Sequence, residues 1–324
     1  METSVNATGD QVSTTGPSEA MAWCVIFSLE ALVVLVTNLV TIIVFLSETP
    51  LHKHTSILLT NLAFADLMVG LVAVPGWVYI LGAQSKFWVD KSGPTTPFSI
   101  AYSCIDMIAA FASVSNHGCI AVERLVGTLL PFKYKRNKRK LNVFLIVVSW
   151  VCAVLMPSLT QVGFYVLDSD MFAFFVWMPF LTVLLLVITI SYSILLSRMR
   201  ALRRDLHHQQ SAGNRGQRRG QRFTITAFIV TVVSLTAWLP FMIMSAINLV
   251  VNINHRPELV NSVKLLHFFN SLTNPFIYWH RIPHYKEAVY EVVCRRKRAK
   301  DRATVTFSAS ASHSTRSNCN NTRF

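Results

Sequence analysis

Long uncharged apolar stretches alternate with short basic clusters along this chain. Three stretches, Leu141–Leu167, Met171–Ser197 and Phe223–Asn254, hold no Asp, Glu, Lys or Arg. Four more carry one such residue each: Ala20–Leu46 with Glu30, Ser56–Leu81 with Asp66, Phe98–Val122 with Asp106, and Asn261–Trp279 with Lys264. A helix needs about 20 apolar residues to cross a bilayer core, whereas a membrane strand needs only about ten and alternates with period two. The runs are long and do not alternate. They predict an all-α membrane protein with seven transmembrane helices over residues 20–280. Beyond them, Ile282, Tyr285, Val289 and Val292 recur at three and four with Lys286, Glu287 and Glu291 between, the pattern of an amphipathic helix on the membrane surface over 281–294. Residues 1–19 form an outer tail, and the Ser- and Thr-rich stretch 295–324 reads as a disordered inner tail.

Composition agrees with a membrane protein, since 52% of the 324 residues are hydrophobic and only 14% charged. The formal net charge of +14 would suit a nucleic-acid partner, but uncharged runs of this length leave no solvated basic surface for one. Sorting the charge by segment gives it a different meaning. Residues 1–19 hold Glu2, Asp10 and Glu19 and no base; 26 of the 30 Lys and Arg fall on alternate loops and the far tail, led by Lys133–Lys140 and the eight Arg from Arg198 to Arg222. Basic loops stay on the cytoplasmic side. The expected topology therefore places the N-terminus outside, in a multi-pass protein of the plasma membrane. No basic segment precedes the first apolar run, so the first span is expected to act as its own insertion signal. Asn6-Ala7-Thr8 is an outer glycosylation sequon, and Cys294 before Arg295-Arg296-Lys297-Arg298 suits palmitoylation.

Ionisable and amide side chains at membrane depth are costly unless paired or hydrated, so each is a candidate functional residue. Asn38 lies in the first span, Asn61-Leu62-Ala63-Phe64-Ala65-Asp66 in the second, Glu123-Arg124-Leu125 at the end of the third and Trp150 in the fourth. The sixth span holds Ala237-Trp238-Leu239-Pro240, and the seventh ends in Asn274-Pro275-Phe276-Ile277-Tyr278. Asp66 needs a counter-charge or polar cage, and Ser113, Asn270 and Asn274 are small polar residues placed to supply one. A carboxylate with hydroxyl and amide oxygens suits a hard monovalent cation, and a plain hydrogen-bonded knot without an ion is the alternative.

Taken together and in this order, the motifs resemble the rhodopsin-like (class A) G-protein-coupled receptors over about residues 20–294. The resemblance implies a receptor that binds an extracellular diffusible ligand and activates a heterotrimeric G protein, with no enzymatic activity and no cofactor beyond an allosteric sodium ion. That ion would be held at Asp66 by Ser113, Asn270 and Asn274 under Trp238. The resemblance also implies a coupling switch of Glu123, Arg124, Tyr192 and Tyr278, pivoting at Pro240; a static charge pair at a helix end is the alternative for Glu123 and Arg124. Leu125 stands where relatives have an aromatic residue, Ser234 where they have one below Trp238, and Arg219-Gly220-Gln221 offers no acid to clamp Arg124. These departures predict ligand-independent signalling.

None of the six cysteines falls in an outer loop. Ser99 occupies the usual third-span position of the bridge to the second outer loop, so that disulfide is expected to be absent. This loss, the short loop near Thr160–Asp170 and Leu184 in place of the fifth-span proline resemble melanocortin, cannabinoid and lysophospholipid receptors; Asn274–Tyr278 with Arg281-Ile282 resembles adenosine receptors. The ligand-binding candidates are Asp106, Lys264, Trp238, His267 and Phe268, with Glu30 and Trp77 as further lining. Asp106 stands where amine receptors hold an ammonium, and Lys264 could instead neutralise it as an internal ion pair; retinal is disfavoured because Phe268 occupies the Schiff-base position. The tail from Thr304 to Ser317 resembles a receptor-kinase and arrestin substrate, and the basic inner loops suit anionic membrane lipids. A transporter or channel remains the non-receptor alternative, since Asp66, Asp106 and Lys264 could line a path.

Overall fold

A computed structural model describes residues 3–5, 11–13, 16–47, 57–88, 97–208, 215–251, 256–282 and 285–292. Two compact units are distinguished, Met1–Ile42 with Ser56–Ile282, and Ile43–Thr55 with Pro283–Phe324. The larger unit holds the helical bundle. Its helices are α1 (Pro17–Leu46, whose last turn belongs to the smaller unit), α2 (Ile57–Gln84), α3 (Pro97–Leu129), α4 (Pro131–Tyr165), α5 (Asp170–His208), α6 (Arg215–Val251) and α7 (Pro257–Arg281). Two three-residue strands, β1 (Thr3–Val5) and β2 (Gln11–Ser13), pair antiparallel in the N-terminal segment, a local addition to the expected all-α fold. In the smaller unit, residues 285–292 form a short helix α8 whose Tyr285 meets Phe45 edge to face at 5.8 Å. Helix is thus present within the predicted amphipathic segment 281–294, with Arg281 itself ending α7.

Six of the helices, α1 to α6, are long and apolar enough to cross a membrane. The seventh, α7, has 25 residues but interrupts its apolar positions with Asn261, Lys264, His267, Asn270, Ser271 and Asn274. Most of these are buried. The polarity belongs to the face turned into the bundle, which makes α7 less apolar overall than the other six.

The helices distribute their side chains in the manner of a lipid-facing bundle. Along α1, Ala20, Cys24, Phe27, Ala31, Val34 and Asn38 are buried, while Met21, Val25, Leu29, Leu32, Val36 and Leu39 are exposed. On α4 the buried set is, apart from Leu145 and Pro157, small or polar (Asn142, Ser149, Ala153, Thr160, Gln161, Gly163), and the exposed set includes large apolar residues (Phe144, Val147, Val151, Leu155). Apolar side chains cost nothing against lipid, whereas small residues let backbones approach and polar ones find partners inside. At Gly163 of α4, a Cβ would stand 2.8 Å from the Phe172 ring and 3.0 Å from the Ala173 nitrogen of α5. This close approach goes with a link of only residues 166–169 between α4 and α5, closed by a Ser169 backbone N–H donated to the Gly163 carbonyl.

Immediately outward of Asp66, α2 widens into a π-helical turn at Val69–Ala73 ahead of Pro75. Proline has no N–H to give, and the wider turn accommodates the lost donor. Gly70 within it lies where a Cβ would come 2.9 Å from Val34 of α1. Pro240 sits inside α6, where it leaves the Thr236 carbonyl without its helical donor.

Candidate functional site

Three polar centres lie along the bundle axis, and the residues predicted from sequence divide among them. The middle one is built on Asp66, which is fully buried. Its Oδ1 accepts hydroxyl hydrogen bonds from Ser113 of α3 at 3.2 Å and Ser271 of α7 at 2.9 Å; its Oδ2 accepts the Asn274 amide at 2.6 Å. One carboxylate therefore ties α2, α3 and α7. Asn38 of α1 joins the same level by donating to the Ser271 carbonyl at 3.0 Å. Asn61 donates to Asn116 of α3 at 2.7 Å and accepts the Trp150 indole of α4 at 3.0 Å, which explains the amide in the second span.

Sequence reasoning found Asp66, Ser113 and Asn274 but assigned the next contact to Asn270, where the structure has Ser271. Asn270 is buried with its Oδ1 unpartnered among the described residues. Ser271 was missed because serine in a membrane helix commonly bonds its own backbone, so the residue type carries little signal. Trp238 is buried on α6 and meets His267 edge to face, ring centroids 4.3 Å apart, with Phe241 completing the cluster.

The outer centre is the pair predicted between spans three and seven. Lys264 Nζ donates to Asp106 Oδ2 at 2.8 Å. The ammonium also lies 5.1 Å from the Trp77 ring and 5.3 Å from Phe268, within the range of cation–π attraction. Asp106 precedes Ser113, and Lys264 precedes Ser271, by seven residues each. Two helical turns place the pair about 10 Å from Ser113 and Ser271 along α3 and α7. His267 follows Lys264 on α7 and meets Trp238 edge to face, so it links the ion pair to the helix that carries Pro240. Glu30 of α1 is 7% exposed, and neither of its carboxylate oxygens has a partner among the described residues.

The inner centre is the end of α3. The Arg124 Nε stands 3.3 Å from Glu123 Oε2, an electrostatic pair between chain neighbours without hydrogen-bond geometry. Glu123 Oε1 also accepts the Tyr134 hydroxyl at 2.6 Å. Tyr134 escaped the sequence reading because it lies within the basic cluster, where charge was the visible feature; Pro131 starts α4 early and carries the ring back to Glu123. Tyr192 of α5 shares a hydrogen bond with Thr231 of α6 at 3.3 Å, and Tyr278 is buried on α7. Helix α6 extends inward through residues 219–221.

Among the described residues the cysteines Cys24, Cys104, Cys119 and Cys152 are free, and no group of three or more His, Cys, Asp or Glu is placed to hold a metal ion. Asn6, Cys294 and the tail 295–324 lie outside the described residues.

Comparison with known proteins gives this arrangement its context. A family model described as 7 transmembrane receptor (rhodopsin family) matches residues 37–278. The chain is 24% identical over 315 residues to trace amine-associated receptor 9 of Mus musculus, covering 88% of each chain. It is 25% identical over 276 residues to sphingosine 1-phosphate receptor 1 of Danio rerio, covering 78% of this chain and 73% of the relative. Somatostatin receptor type 1 of Mus musculus is 24% identical over 322 residues, covering 89% and 76%. With three quarters of its length matched by the family, the chain belongs to the rhodopsin family and is a G-protein-coupled receptor, not an enzyme.

Proposed function

We propose that an extracellular ligand acts at Asp106 and Lys264, that its binding is passed through His267, Phe268 and Trp238 to the Pro240 hinge, and that the readout is release of Arg124 from Glu123. The observation that carries this reading is the stacking of the three centres on shared helices: α3 supplies Asp106, Ser113 and Glu123, and α7 supplies Lys264, His267 and Ser271. A displacement of α3 against α7 at the outer pair is felt at every level below it. The ligand shifts the population of receptor forms only as far as it binds the active form better. An amine held by Asp106 is a second reading, favoured by the trace amine-associated relatives. Likeness to melanocortin, adenosine and cannabinoid receptors rests on the absent bridge and the Asn274–Tyr278 run alone.

The test is nucleotide exchange by heterotrimeric G proteins in membranes carrying the full chain. Basal exchange above that of empty membranes is expected, and Arg124→Ala should bring it to the empty-membrane level. An Arg124→Ala receptor that signals like the parent would remove the switch assignment.

The residues around Asp66 fit the alkali ion that the family resemblance implies. Asn274 Oδ1 and Asn270 Oδ1 are buried acceptors with no donor among the described residues. Asp66, Ser113, Ser271 and Asn274 would hold a sodium ion, which would supply compensating positive charge to the buried carboxylate. Replacing choline chloride with sodium chloride should therefore raise the melting temperature of the purified receptor, and Asp66→Asn should lose that response. An equal sodium shift in Asp66→Asn would show that the ion acts elsewhere.

Orientation with the N-terminus outside, residence in the plasma membrane, glycosylation at Asn6, palmitoylation at Cys294, binding of anionic lipids by the basic inner loops, and phosphorylation of the tail with arrestin recruitment belong to the same reading. They are supported by the charge distribution and sequence motifs.

A further inference from the structure

The outer ion pair is built differently from the centre beneath it. Asp66 has no exposure and accepts three hydrogen bonds from fixed side chains. The Lys264 and Asp106 side chains keep 15% and 13% of theirs. Asp106 commits only Oδ2 to Lys264, while its Oδ1 is buried and has no partner among the described residues. Around the pair, the Tyr102 hydroxyl one turn outward on α3, the Trp77 indole nitrogen and His267 Nδ1 are likewise buried without partners among the described residues. Buried polar groups are nearly always satisfied, so such a concentration around one accessible ion pair marks a place for a polar guest.

The charge balance of the pair restricts what that guest can be. An amine that took Asp106 by itself would leave the Lys264 ammonium without a counter-charge in a mostly buried setting. An anion that took Lys264 would strand Asp106 in the same way. Removing one partner of a buried pair is far more costly than exchanging both. Among the described residues, Lys264 has no acid other than Asp106 within ion-pair distance. The Trp77 and Phe268 rings also attract the ammonium, a hold that does not depend on the carboxylate and would persist when a new anion replaces it.

We propose that the receptor's ligand is zwitterionic, with its ammonium taking Asp106 and its carboxylate or phosphate taking Lys264. The internal ion pair is then exchanged for two pairs with the ligand, and no buried charge is left alone. The proposal rests on the reading of Asp106 and Lys264 as the ligand site. It makes the pair a lock that either half-ligand opens poorly. Separation of the pair moves α3 from α7 at the level directly above His267 and Trp238.

Two sources carry this chemistry, a small amino acid and the head group of a lysophospholipid. The experiment uses the full chain in nanodiscs, with melting temperature and G-protein nucleotide exchange as readouts. One arm is the series of unbranched ω-amino acids with one to five methylenes between ammonium and carboxylate; the other is lysophosphatidylethanolamine. Each is matched by an amine and an acid of equal chain length. At least one zwitterion should stabilise the receptor and raise exchange at concentrations about a hundredfold below its matched amine and acid. The arm that responds identifies the source.

Lys264→Met should reverse the preference toward the amine, and Asp106→Asn toward the acid. Asp106→Asn with Lys264→Met, which leaves no buried lone charge, keeps a folded receptor in the comparison and should bind none of the three selectively. If the matched amine or acid is as potent as every zwitterion on the parent receptor, in a manner that depends on Asp106 or Lys264, the zwitterion proposal fails and the ligand site stands. If no probe acts through Asp106 or Lys264, both fail.

Discussion

Methionine in place of Lys264 is expected to destabilise the receptor by about 3–5 kcal/mol, because it leaves the Asp106 carboxylate charged, largely buried and alone. The expectation follows from the 2.8 Å contact and from the low exposure of both side chains. Asp106→Asn should weaken the fold from the other side, since the Lys264 ammonium then retains only the Trp77 and Phe268 rings, and a cation–π contact recovers about 1–2 kcal/mol. The double variant should be more stable than either single one, because no uncompensated charge remains. Melting temperatures of the four proteins in one detergent close the cycle. Additive losses would show that the two groups are not coupled in the folded receptor.

Tyr134→Phe should raise ligand-independent signalling. The 2.6 Å hydrogen bond from the Tyr134 hydroxyl orients Glu123 beside Arg124, and a hydrogen bond to a charged acceptor contributes about 1.5–3 kcal/mol. If that bond exists only while Arg124 is held, its loss moves the equilibrium between receptor forms by roughly tenfold or more. Among the described residues Glu123 is the one acid within ion-pair distance of Arg124, so the restraint on Arg124 falls to Glu123 and, through it, to Tyr134. The measurement is basal nucleotide exchange at matched surface expression, with Arg124→Ala as the floor. Basal exchange in Tyr134→Phe equal to the parent would mean that the bond persists in both forms or bears no weight in either.

The seven spans, the polar residues within them and the Asp106–Lys264 pair were legible because a membrane interior penalises every unpaired polar group, so each charge in an apolar run has to be accounted for. Register and reach were less legible. Ser271 rather than Asn270 contacts Asp66, a displacement of one residue on α7 that residue type does not reveal. The π turn at Val69–Ala73 could be suspected only from Gly70 and Pro75, neither of which is diagnostic. Tyr134 required knowing that α4 begins at Pro131, ten residues before its apolar run. The cation–π seat of Lys264 joins Trp77 on α2 with Phe268 on α7, and contacts between distant segments leave no mark on local sequence.

The inward polarity of α7 bears on how the receptor is made. The insertion machinery senses each new segment against lipid before its partners are all in place, and a helix carrying Lys264, His267 and three asparagines is a poor candidate for lipid by itself. Among the described residues its polar face meets groups that precede it in the chain, among them Asn38 on α1, Asp66 on α2 and Asp106 on α3. If the spans enter in chain order, the last helix would meet partners that the first three already present. The residues proposed to read the ligand would then also admit the final span, and a variant that breaks the Asp106–Lys264 pair would lower the yield of inserted receptor as well as its stability.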